Sequence, residues 1–375
     1  MFIWQRPEWP QFRQDEARLG RVLADTRHAQ GKLLGRMEAL GFDMRSEATL
    51  RMLTEDVVKT SEIEGEILAP DQVRSSLATR LGLDAGGLQA PDRNVDGVVE
   101  MTLDATRNYA AHLTEERLFS WHAALFPTGY SGMRRIHVGE WRDDTDGPME
   151  VVSGPIGRQR FHYSAPPAGR LGDEMSAFLE WFQGARSMEP VLAAGLAHLW
   201  FVSIHPFEDG NGRIARAIAD MALARSEDSP ERFYSMSAQI RLERNAYYDI
   251  LKATQKGGLN ITDWQIWFLE CLGRAIVSAR NTLAAVLAKA SFWEAHASDV
   301  FNERQVRILN RLLDGFEGKL TSSKWARMNR CSQDTANRDI RALIDRGVLV
   351  RGPAGGRSTS YELVTARIRD SKRQL

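Results

Sequence analysis

The longest apolar stretch of the chain, VLAAGLAHLWFVSI at residues 191–204, leads directly into a glycine-rich turn and then into a second helical pattern. The stretch is shorter than the roughly 20 residues that a membrane-spanning helix needs, and it carries His198. We therefore expect a buried core helix here, with the turn that follows it held between two rigid elements.

Most of the remaining chain has helical periodicity, broken by glycine and proline. Helical patterns lie near residues 15–41, 47–63, 93–112, 115–126, 170–185, 190–204, 212–225, 233–256 and 262–290. The region from 136 to 166 differs. Its segments Met149–Val152 and Gln159–Tyr163 read as short strands joined by SGPIG, which predicts a β-hairpin. Such a hairpin is either a packing element or a functional flap.

The C-terminal part, after about residue 300, has a different pattern. Three amphipathic helices (QVRILNRLLDG, SSKWARMNR and SQDTANRDIRALIDRG) precede two short strands, VLVRG and STSYELV, which flank Pro353–Arg357. This order is typical of a winged helix-turn-helix. The third helix places Ala336, Ile340, Leu343 and Ile344 on one face and Gln333, Asn337, Arg338 and Arg341 elsewhere. Residues 319–375 contain thirteen Lys and Arg against five Asp and Glu.

The composition limits the class of protein. A chain of 375 residues predicts two or three domains. Its 49 basic and 49 acidic residues exclude an overall bias towards nucleic acid or an anionic membrane. Cys271 and Cys331 lack metal-binding or CxxC spacing, so a disulfide framework or zinc site is not expected. The N-terminus has no signal-peptide pattern, and we expect a cytoplasmic protein with no membrane partner.

The segment HPFEDGNGRIAR combines features that phosphate chemistry needs. Gly210, Asn211 and Gly212 immediately precede a helical run. A glycine-rich turn that opens a helix presents free N–H groups and the positive end of the helix dipole to an anion. Arg213 and Arg216 lie three residues apart on that first helical turn, so both side chains can reach the same anion. The segment predicts a phosphate-binding site.

Two further side chains of the segment predict reactivity. Asp209 adjoins the turn and is placed to hold Mg²⁺ between phosphate oxygens. His205 follows the apolar helix and is suited to act as a base near neutral pH. Each residue alone is more often structural, but their combination within twelve residues favours a catalytic site.

The segment resembles the Fic motif H-x-F-x-(D/E)-G-N-G-R-x-x-R at every defined position. The likeness extends to the helices near 93–126 and 170–256, the hairpin, the N-terminal FIWQRPEWPQF and the C-terminal winged helix. It implies a mainly α fold: a helical Fic (Fido) core with a β-hairpin flap, an N-terminal helical domain and a C-terminal winged helix-turn-helix. The expected domains are 1–90, with an inhibitory helix, 91–290, the catalytic domain, and 291–375, the winged helix.

The resemblance implies a protein adenylyltransferase, which transfers AMP from ATP to a Tyr, Thr or Ser hydroxyl of a target protein. His205 would be the general base, and Asp209 would bind Mg²⁺ between the α- and β-phosphates. Arg213 would hold the γ-phosphate, and Arg216 would support the phosphates. The other implied nucleotide-binding residues are Gly210, Asn211 and Gly212 in the anion hole and Tyr247, Tyr248 and Gln255 near the adenine. The hairpin would hold the target segment by strand addition.

A second motif, TSEIEG at residues 60–65, matches the Fic inhibitory pattern (S/T)-x-x-x-E-(G/N). Because it precedes the core, it resembles the class whose inhibitory helix is N-terminal in the same chain. The resemblance implies that Glu64 pairs with Arg213 and denies this arginine to the γ-phosphate.

Other functions stay open at this point. The same site could remove AMP from a modified target, with Glu64 positioning a water, or transfer another phosphate-linked group. The basic winged helix alone favours a DNA-binding regulator, with Arg338 and Arg341 as contacts. The intact His205, Asp209 and Arg213 argue against an inert scaffold. The expected partners are a target protein, the chain itself through self-modification or a homodimer, and DNA.

Overall fold

The computed structural model describes residues 1–83, 91–145, 147–153, 160–184, 188–313, 316, 318–352 and 359–364. The chain divides into two compact units, Met1–Asn281 and Thr282–Leu375. Among the described residues, no helix is long and apolar enough to cross a membrane. The separation of an N-terminal domain, 1–90, from a catalytic domain, 91–290, remains a proposal from the sequence.

The first unit is mainly α-helical, as the sequence predicted. Its helices are α1 (Glu16–Glu38), α2 (Phe42–Ile63), α3 (Pro70–Leu81), α4 (Arg93–Arg107), α5 (Glu115–Leu125), α6 (Leu171–Gly184), α7 (Pro190–Ile204), α8 (Asn211–Glu227), α9 (Met236–Leu242), α10 (Arg244–Gln255) and α11 (Thr262–Thr282). Two antiparallel hairpins accompany them: β1 (Tyr130–Ser131) with β2 (Arg134–Arg135), and β3 (Glu150–Ser153) with β4 (Arg160–Ser164).

The core of this unit is the α7–α8 pair. Every residue of α7 after Pro190 is buried, so the apolar stretch at 191–204 is the central helix that the sequence predicted. Helix α8 packs along it and is buried over most of its length. The turn between the two helices, residues 205–210, is therefore fixed at both ends by close packing.

Helix α2 is anchored in the middle of its length. The buried carboxylate of Asp56 accepts hydrogen bonds from Ser235 Oγ at 2.5 Å and from the backbone N–H of Ser237 at 3.3 Å. Both serines lie at the start of α9, against which α2 packs. A buried carboxylate is stable only when its oxygens are hydrogen-bonded, so this contact fixes where α2 lies.

Helix α3 was not predicted, because its first residue, Pro70, was read as part of a helix stop. Proline is favoured at the first position of a helix, where its missing N–H has no partner to lose. The helix buries Val73 and Leu77, and it ends at Gly82, whose φ is 72°. Glycine in this left-handed conformation is a common helix terminator.

The larger hairpin, β3 with β4, confirms the predicted one, with a register shift between Val151 and Val152. Its predicted turn, SGPIG, falls almost entirely outside the described residues. The buried Tyr163 of β4 donates from its hydroxyl to the carbonyl of Ser203 at 2.6 Å. Phe2 packs edge-on against Phe161 and Tyr163. The base of the hairpin is thus held against the end of α7.

The second unit contains α12 (Ala284–Ala295), α13 (Glu303–Leu313), α14 (Ser322–Met328) and α15 (Gln333–Asp345), followed by the antiparallel strands β5 (Leu349–Arg351) and β6 (Tyr361–Leu363). From α13 onwards, the elements have the predicted order of three helices and two strands. Trp325 and Leu343 are fully buried in its core. The predicted loop between the strands, Pro353–Arg357, lies outside the described residues.

Candidate active site

The turn between α7 and α8 is shaped by local backbone geometry and one clamping side chain. His205 ends α7 with φ of 53°, and Gly210 precedes α8 with φ of 79°. Asn211, 2% exposed, uses its side-chain amide to accept from the N–H of Phe207 at 3.0 Å and to donate to the carbonyl of Phe207 at 2.7 Å. Asn211 therefore acts through its side chain as the clamp of the turn.

The start of α8 has the geometry that suits an anion. Gly210 has to be glycine, since a Cβ atom there would lie 2.9 Å from the Phe126 ring and φ is positive. The first N–H groups of a helix have no partner within it. Those of Asn211, Gly212 and Arg213 therefore lie at the positive end of the α8 dipole, as the glycine-rich pattern predicted.

His205 is held in one tautomer and in one place. Its Nδ1 lies 3.2 Å from the carbonyl of Val202, so Nδ1 carries the proton and Nε2 keeps a free lone pair. The buried Arg142 donates from Nε to the His205 carbonyl at 2.8 Å and from Nη2 to the Pro166 carbonyl at 2.6 Å. Burial lowers the pKa of His205 to about 4, and the charge of Arg142 adds to this effect. The imidazole is thus neutral at pH 7, as a general base must be.

His122 supports the turn by contacts with Asp209 and Phe207, and the sequence did not predict this role. Its Nδ1 accepts from the N–H of Gly139 at 3.2 Å, so Nε2 donates to the carbonyl of Asp209, also at 3.2 Å. The ring stacks on Phe207 with centroids 4.1 Å apart. Burial lowers the pKa of His122 to about 4. Its neutral form has the one acceptor and one donor that these contacts require.

Asp209 lies beside the start of α8. One carboxylate oxygen accepts from the N–H of Gly210 at 2.6 Å, and the other accepts from Ser131 Oγ in the β1–β2 hairpin. Within the described part of the chain, no group of three or more His, Cys, Asp or Glu side chains is arranged to hold a metal. A single oriented carboxylate nevertheless suits Mg²⁺, which keeps several waters and is bound by one or two carboxylates plus substrate phosphates.

The predicted pairing of Glu64 with Arg213 is wrong in this structure. Glu64 Oε1 instead lies 2.7 Å from Nη2 of Arg216. Arg216, whose side chain is 2% exposed, also donates to the hydroxyl of Thr60 at 2.7 Å and to its carbonyl at 3.0 Å. Glu64 is the C-cap residue of α2, and Arg213 lies three residues nearer the start of α8 than Arg216 does.

A different carboxylate reaches Arg213. Glu66 Oε2 lies 2.7 Å from Arg213 Nη1. Meanwhile Glu64 Oε1 lies so close to Gly212 that a Cβ atom built there would overlap it. The carboxylate of Glu64 therefore occupies the space directly over the first turn of α8, where the pattern predicted a phosphate.

The predicted adenine-side residues are divided between interior and surface. Tyr247 is 2% exposed, and its hydroxyl lies 3.0 Å from His198 Nε2. Tyr248 is 38% exposed, with its ring centroid 5.0 Å from that of Tyr247 and the Arg244 guanidinium over its face. Gln255 is buried and bonds to Ser203 Oγ. Of the three, only Tyr248 presents a ring that a ligand could stack on.

Comparison with known families and proteins fits this geometry. Residues 112–223 match the Fic/DOC family, and residues 2–83 match a domain of unknown function (DUF4172). The Fic/DOC match contains α7, the turn and α8 as far as Leu223, together with His122 and Asp209. The chain carries a Fic/DOC family domain.

Curated relatives bear the name protein adenylyltransferase Fic. The one from Drosophila ananassae is 26% identical over 230 residues, which is 59% of this chain and 42% of that protein. The one from Culex quinquefasciatus is 27% identical over 218 residues, which is 57% of this chain and 39% of that protein. The chain thus spans about two fifths of the length of these two relatives.

Two solved structures share the fold. A Fic family protein from Desulfovibrio desulfuricans has a TM-score of 0.56 and 21% identity, over 92% of this chain and 96% of that one. A Fic domain-containing signaling protein from Bacteroides thetaiotaomicron has a TM-score of 0.50 and 20% identity, over 73% of this chain and 97% of that one. At these identities the likeness concerns the fold.

Proposed function

We propose that this protein transfers AMP from ATP to a hydroxyl group of a target protein and releases pyrophosphate. The observation that carries the proposal is the position of neutral His205 beside the free N–H groups and arginines at the start of α8. The relatives named protein adenylyltransferase support the same reaction class.

The proposed reaction is a displacement at the α-phosphorus. His205 Nε2 accepts the proton of the acceptor hydroxyl while its oxygen forms the new bond to phosphorus. The bond from that phosphorus to the bridging oxygen breaks, and pyrophosphate leaves with the electron pair. The N–H groups of α8 and the guanidinium groups of Arg213 and Arg216 stabilise negative charge on the phosphates. General-base catalysis by a placed histidine contributes about 10²–10⁴-fold.

Asp209 is the residue that would hold Mg²⁺, because its carboxylate is oriented by Ser131 and Gly210 next to the phosphate surface. When bound, the ion neutralises charge on the nucleotide phosphates. On the adenine side, we assign stacking to Tyr248 and a supporting role to the buried Tyr247. The target segment would lie along the β3–β4 hairpin, whose Val152 and Phe161 side chains are exposed.

We further propose that the protein is autoinhibited. Glu64 holds Arg216 and occupies the space over Gly212, so ATP phosphates and this carboxylate compete for the same groups. Burial alone would lower the pKa of Arg216, but the charge of Glu64 raises it above the ordinary value. The pair therefore favours the charged guanidinium even without nucleotide.

Removal of AMP from a modified target, or transfer of another phosphate-linked group, uses the same residues. In that case Glu64 would assist a water rather than only block the site. Two separate rates distinguish the alternatives: removal of a blocking residue raises the rate of labelling from ATP, whereas removal of a water-positioning residue slows the loss of label from a modified target.

The test is transfer of label from α-³²P-ATP to proteins of a lysate, including the protein itself. Glu64→Gly should label strongly, and Glu64→Gly with His205→Ala should not label. The control is Glu64→Gly with His112→Ala, which removes an exposed histidine outside the site. Equal labelling with and without His205 would contradict the proposed base. Parallel reactions of the purified protein alone with γ-³²P-ATP should leave it unlabelled, because the γ-phosphate departs with pyrophosphate.

A second candidate function, duplex DNA binding, rests on the surface of α15 in the second unit. Its outward residues Gln333, Asn337, Arg338 and Arg341 are exposed. The acidic Asp339 is instead buried and paired with Arg304 at 2.7 Å. Asparagine and glutamine suit adenine edges, and arginine suits guanine or phosphate. We propose that this face lies in a major groove.

The measurement for this function is fluorescence anisotropy of the full chain with a labelled 30-base-pair duplex across a salt series. Arg338→Gln with Arg341→Gln should reduce the salt slope by about 0.9 for each phosphate that is no longer neutralised. The charge-matched control is Arg21→Gln with Arg36→Gln, both exposed on α1. No binding at 50 mM salt, or an equal reduction in both double variants, would exclude this function.

A further inference from the structure

Arg213 is enclosed by a contact that the inhibitory motif does not include. Its Nη1 lies 2.7 Å from Glu66 Oε2, and its guanidinium stacks over the Phe126 ring at 5.0 Å. The arginine is 5% exposed. Glu66 lies one residue beyond the end of TSEIEG, so the motif gives no reason for this carboxylate to be present.

The end of α2 explains how two carboxylates reach the site. Gly65 has φ of 89°, and the N–H groups of Gly65 and Glu66 donate back to the carbonyls of Glu62 and Ser61. This is the arrangement in which a left-handed glycine terminates a helix. It turns the chain sharply, so Glu64 before the glycine and Glu66 after it both face α8.

The spacing of acceptors and donors then matches. Glu64 and Glu66 lie two residues apart across the turn, and they meet Arg216 and Arg213, which lie three residues apart within the first two turns of α8. Each arginine is therefore paired with its own carboxylate. Without Glu66, Arg213 would remain available to a nucleotide even while Glu64 holds Arg216.

Each arginine keeps a hydrogen-bond donor that its carboxylate does not use. Within the described part of the chain, the buried Nε of Arg213 and the buried Nη1 of Arg216 have no hydrogen-bond partner. Each glutamate accepts one short bond from its arginine, whereas a phosphate group can accept two parallel bonds from one guanidinium. The two glutamates therefore hold the arginines in a way that phosphates can displace.

We propose that Glu66 is a second inhibitory residue, which competes with the nucleotide phosphates for Arg213 while Glu64 competes for Arg216. This inference rests on the proposed nucleotide site and specifies its regulation. Relief of inhibition then requires two carboxylates to leave, and removal of Glu64 alone opens the site only in part. Because the Glu66 side chain is 36% exposed, it is accessible from solvent at the edge of the site.

The test is calorimetric titration of the full chain with Mg-ATP and, separately, with inorganic tripolyphosphate. The variants are Glu64→Gln, Glu66→Gln and the double variant. The control is Glu62→Gln, which removes a carboxylate from the same helix end, paired with Lys59 and Arg241. Thermal unfolding of each variant checks that the fold is kept.

Glu66→Gln should tighten binding of both ligands several-fold, on the order of the five-fold expected for a partly exposed ion pair. The double variant should bind more tightly than either single variant, and Glu62→Gln should match wild type. In an Arg213→Gln background, Glu66→Gln should have no effect. Equal affinity of Glu66→Gln and wild type would overturn the proposal.

The outcomes separate this proposal from the proposed function. If the double variant binds neither ligand, the proposed nucleotide site is contradicted, and so is the proposed role of Glu66. If ATP binds all variants and only Glu64→Gln changes the affinity, the site stands and Glu66 is not inhibitory. If both variants tighten ATP binding while no AMP transfer is detected, the regulation stands and the reaction differs.

Discussion

Glu64 Oε1 and Arg216 Nη2 lie 2.7 Å apart although 152 positions separate these residues in the chain. The contact joins the end of α2 to the first turns of α8. Thr60, one turn before Glu64, accepts a bond from the same guanidinium at 2.7 Å. The first and fifth positions of TSEIEG therefore act together on one arginine, which gives the motif its spacing.

Removal of Glu64 should activate the protein through Arg216. Glu64→Gly should raise transfer by about 10²-fold, the order by which the rate falls when a phosphate is misplaced for in-line attack. Glu64→Gly with Arg216→Ala should lose most of the gain, because the released guanidinium is gone. Rates of label transfer by wild type, the single variant and the double variant check this. A double variant as active as the single one would contradict the role of Arg216.

The pH dependence of transfer should reflect the lowered pKa of His205. With a pKa of about 4, the imidazole is already neutral at pH 6, so kcat/KM of Glu64→Gly should not fall around pH 6.5, the ordinary histidine value. On the acidic side of the pH–rate profile, where protonation of His205 stops transfer, the rate should fall only as pH approaches 4. A midpoint near 6.5 in the pH–rate profile would contradict the lowered pKa of His205. Arg142→Lys, which retains the charge, should keep the midpoint low.

Stability should decrease on acidification. Burial lowers the pKa of His122 to about 4 and that of His198 to about 3, so the folded state keeps both neutral. The unfolded chain protonates them near 6.5 and therefore binds more protons below that pH. The free energy of unfolding should be largest above pH 6.5 and should fall as pH drops towards 4. Urea titrations at several pH values measure this. A His122→Gln variant should show a smaller decrease between pH 6.5 and 4.

Asn211→Ala should destabilise the site turn. It removes two hydrogen bonds to the buried backbone of Phe207 and leaves an N–H and a carbonyl without partners, at a cost of about 1–3 kcal/mol. Asn108→Ala, which removes a bond on the surface, is the matched control. Thermal unfolding compares the two, and equal shifts would show that the clamp does not contribute. Transfer activity should fall together with stability in Asn211→Ala only.

Asp209→Asn should weaken the response to Mg²⁺. The amide keeps an oxygen for the Gly210 N–H but loses the charge that attracts the ion. The Mg²⁺ concentration that supports half-maximal transfer should rise. Glu231→Gln, which removes a half-buried carboxylate paired with Arg45, serves as control. An unchanged Mg²⁺ dependence would mean that another residue holds the metal.

The sequence predicted those parts of the fold that depend on local pattern. The apolar run of α7, the glycine-rich turn and the start of α8 all lie where periodicity and glycine placed them. Helix α3 was missed because Pro70 has opposite meanings at a helix start and a helix end. Local pattern alone does not separate these two meanings.

The long-range contacts of the site could not be predicted from the sequence pattern. His122 and Arg142 act by binding backbone carbonyls of the turn, and nothing in a sequence pattern marks which carbonyl a side chain will reach. Whether Glu64 meets Arg213 or Arg216 depends on how far α2 extends along α8. That distance is set by tertiary packing, which a sequence pattern does not give. The left-handed Gly65 was the one local signal that a carboxylate after it could also turn towards α8.

The anchoring of α2 by Asp56 has a consequence for mass action. Glu64 and Glu66 belong to the same chain as the arginines that they contact, so the effective concentration of these carboxylates at the site is set by the fold and not by the amount of protein. Dilution cannot release them. The fraction of sites blocked should therefore be the same at nanomolar and micromolar protein, and only nucleotide or a change in the end of α2 should alter it.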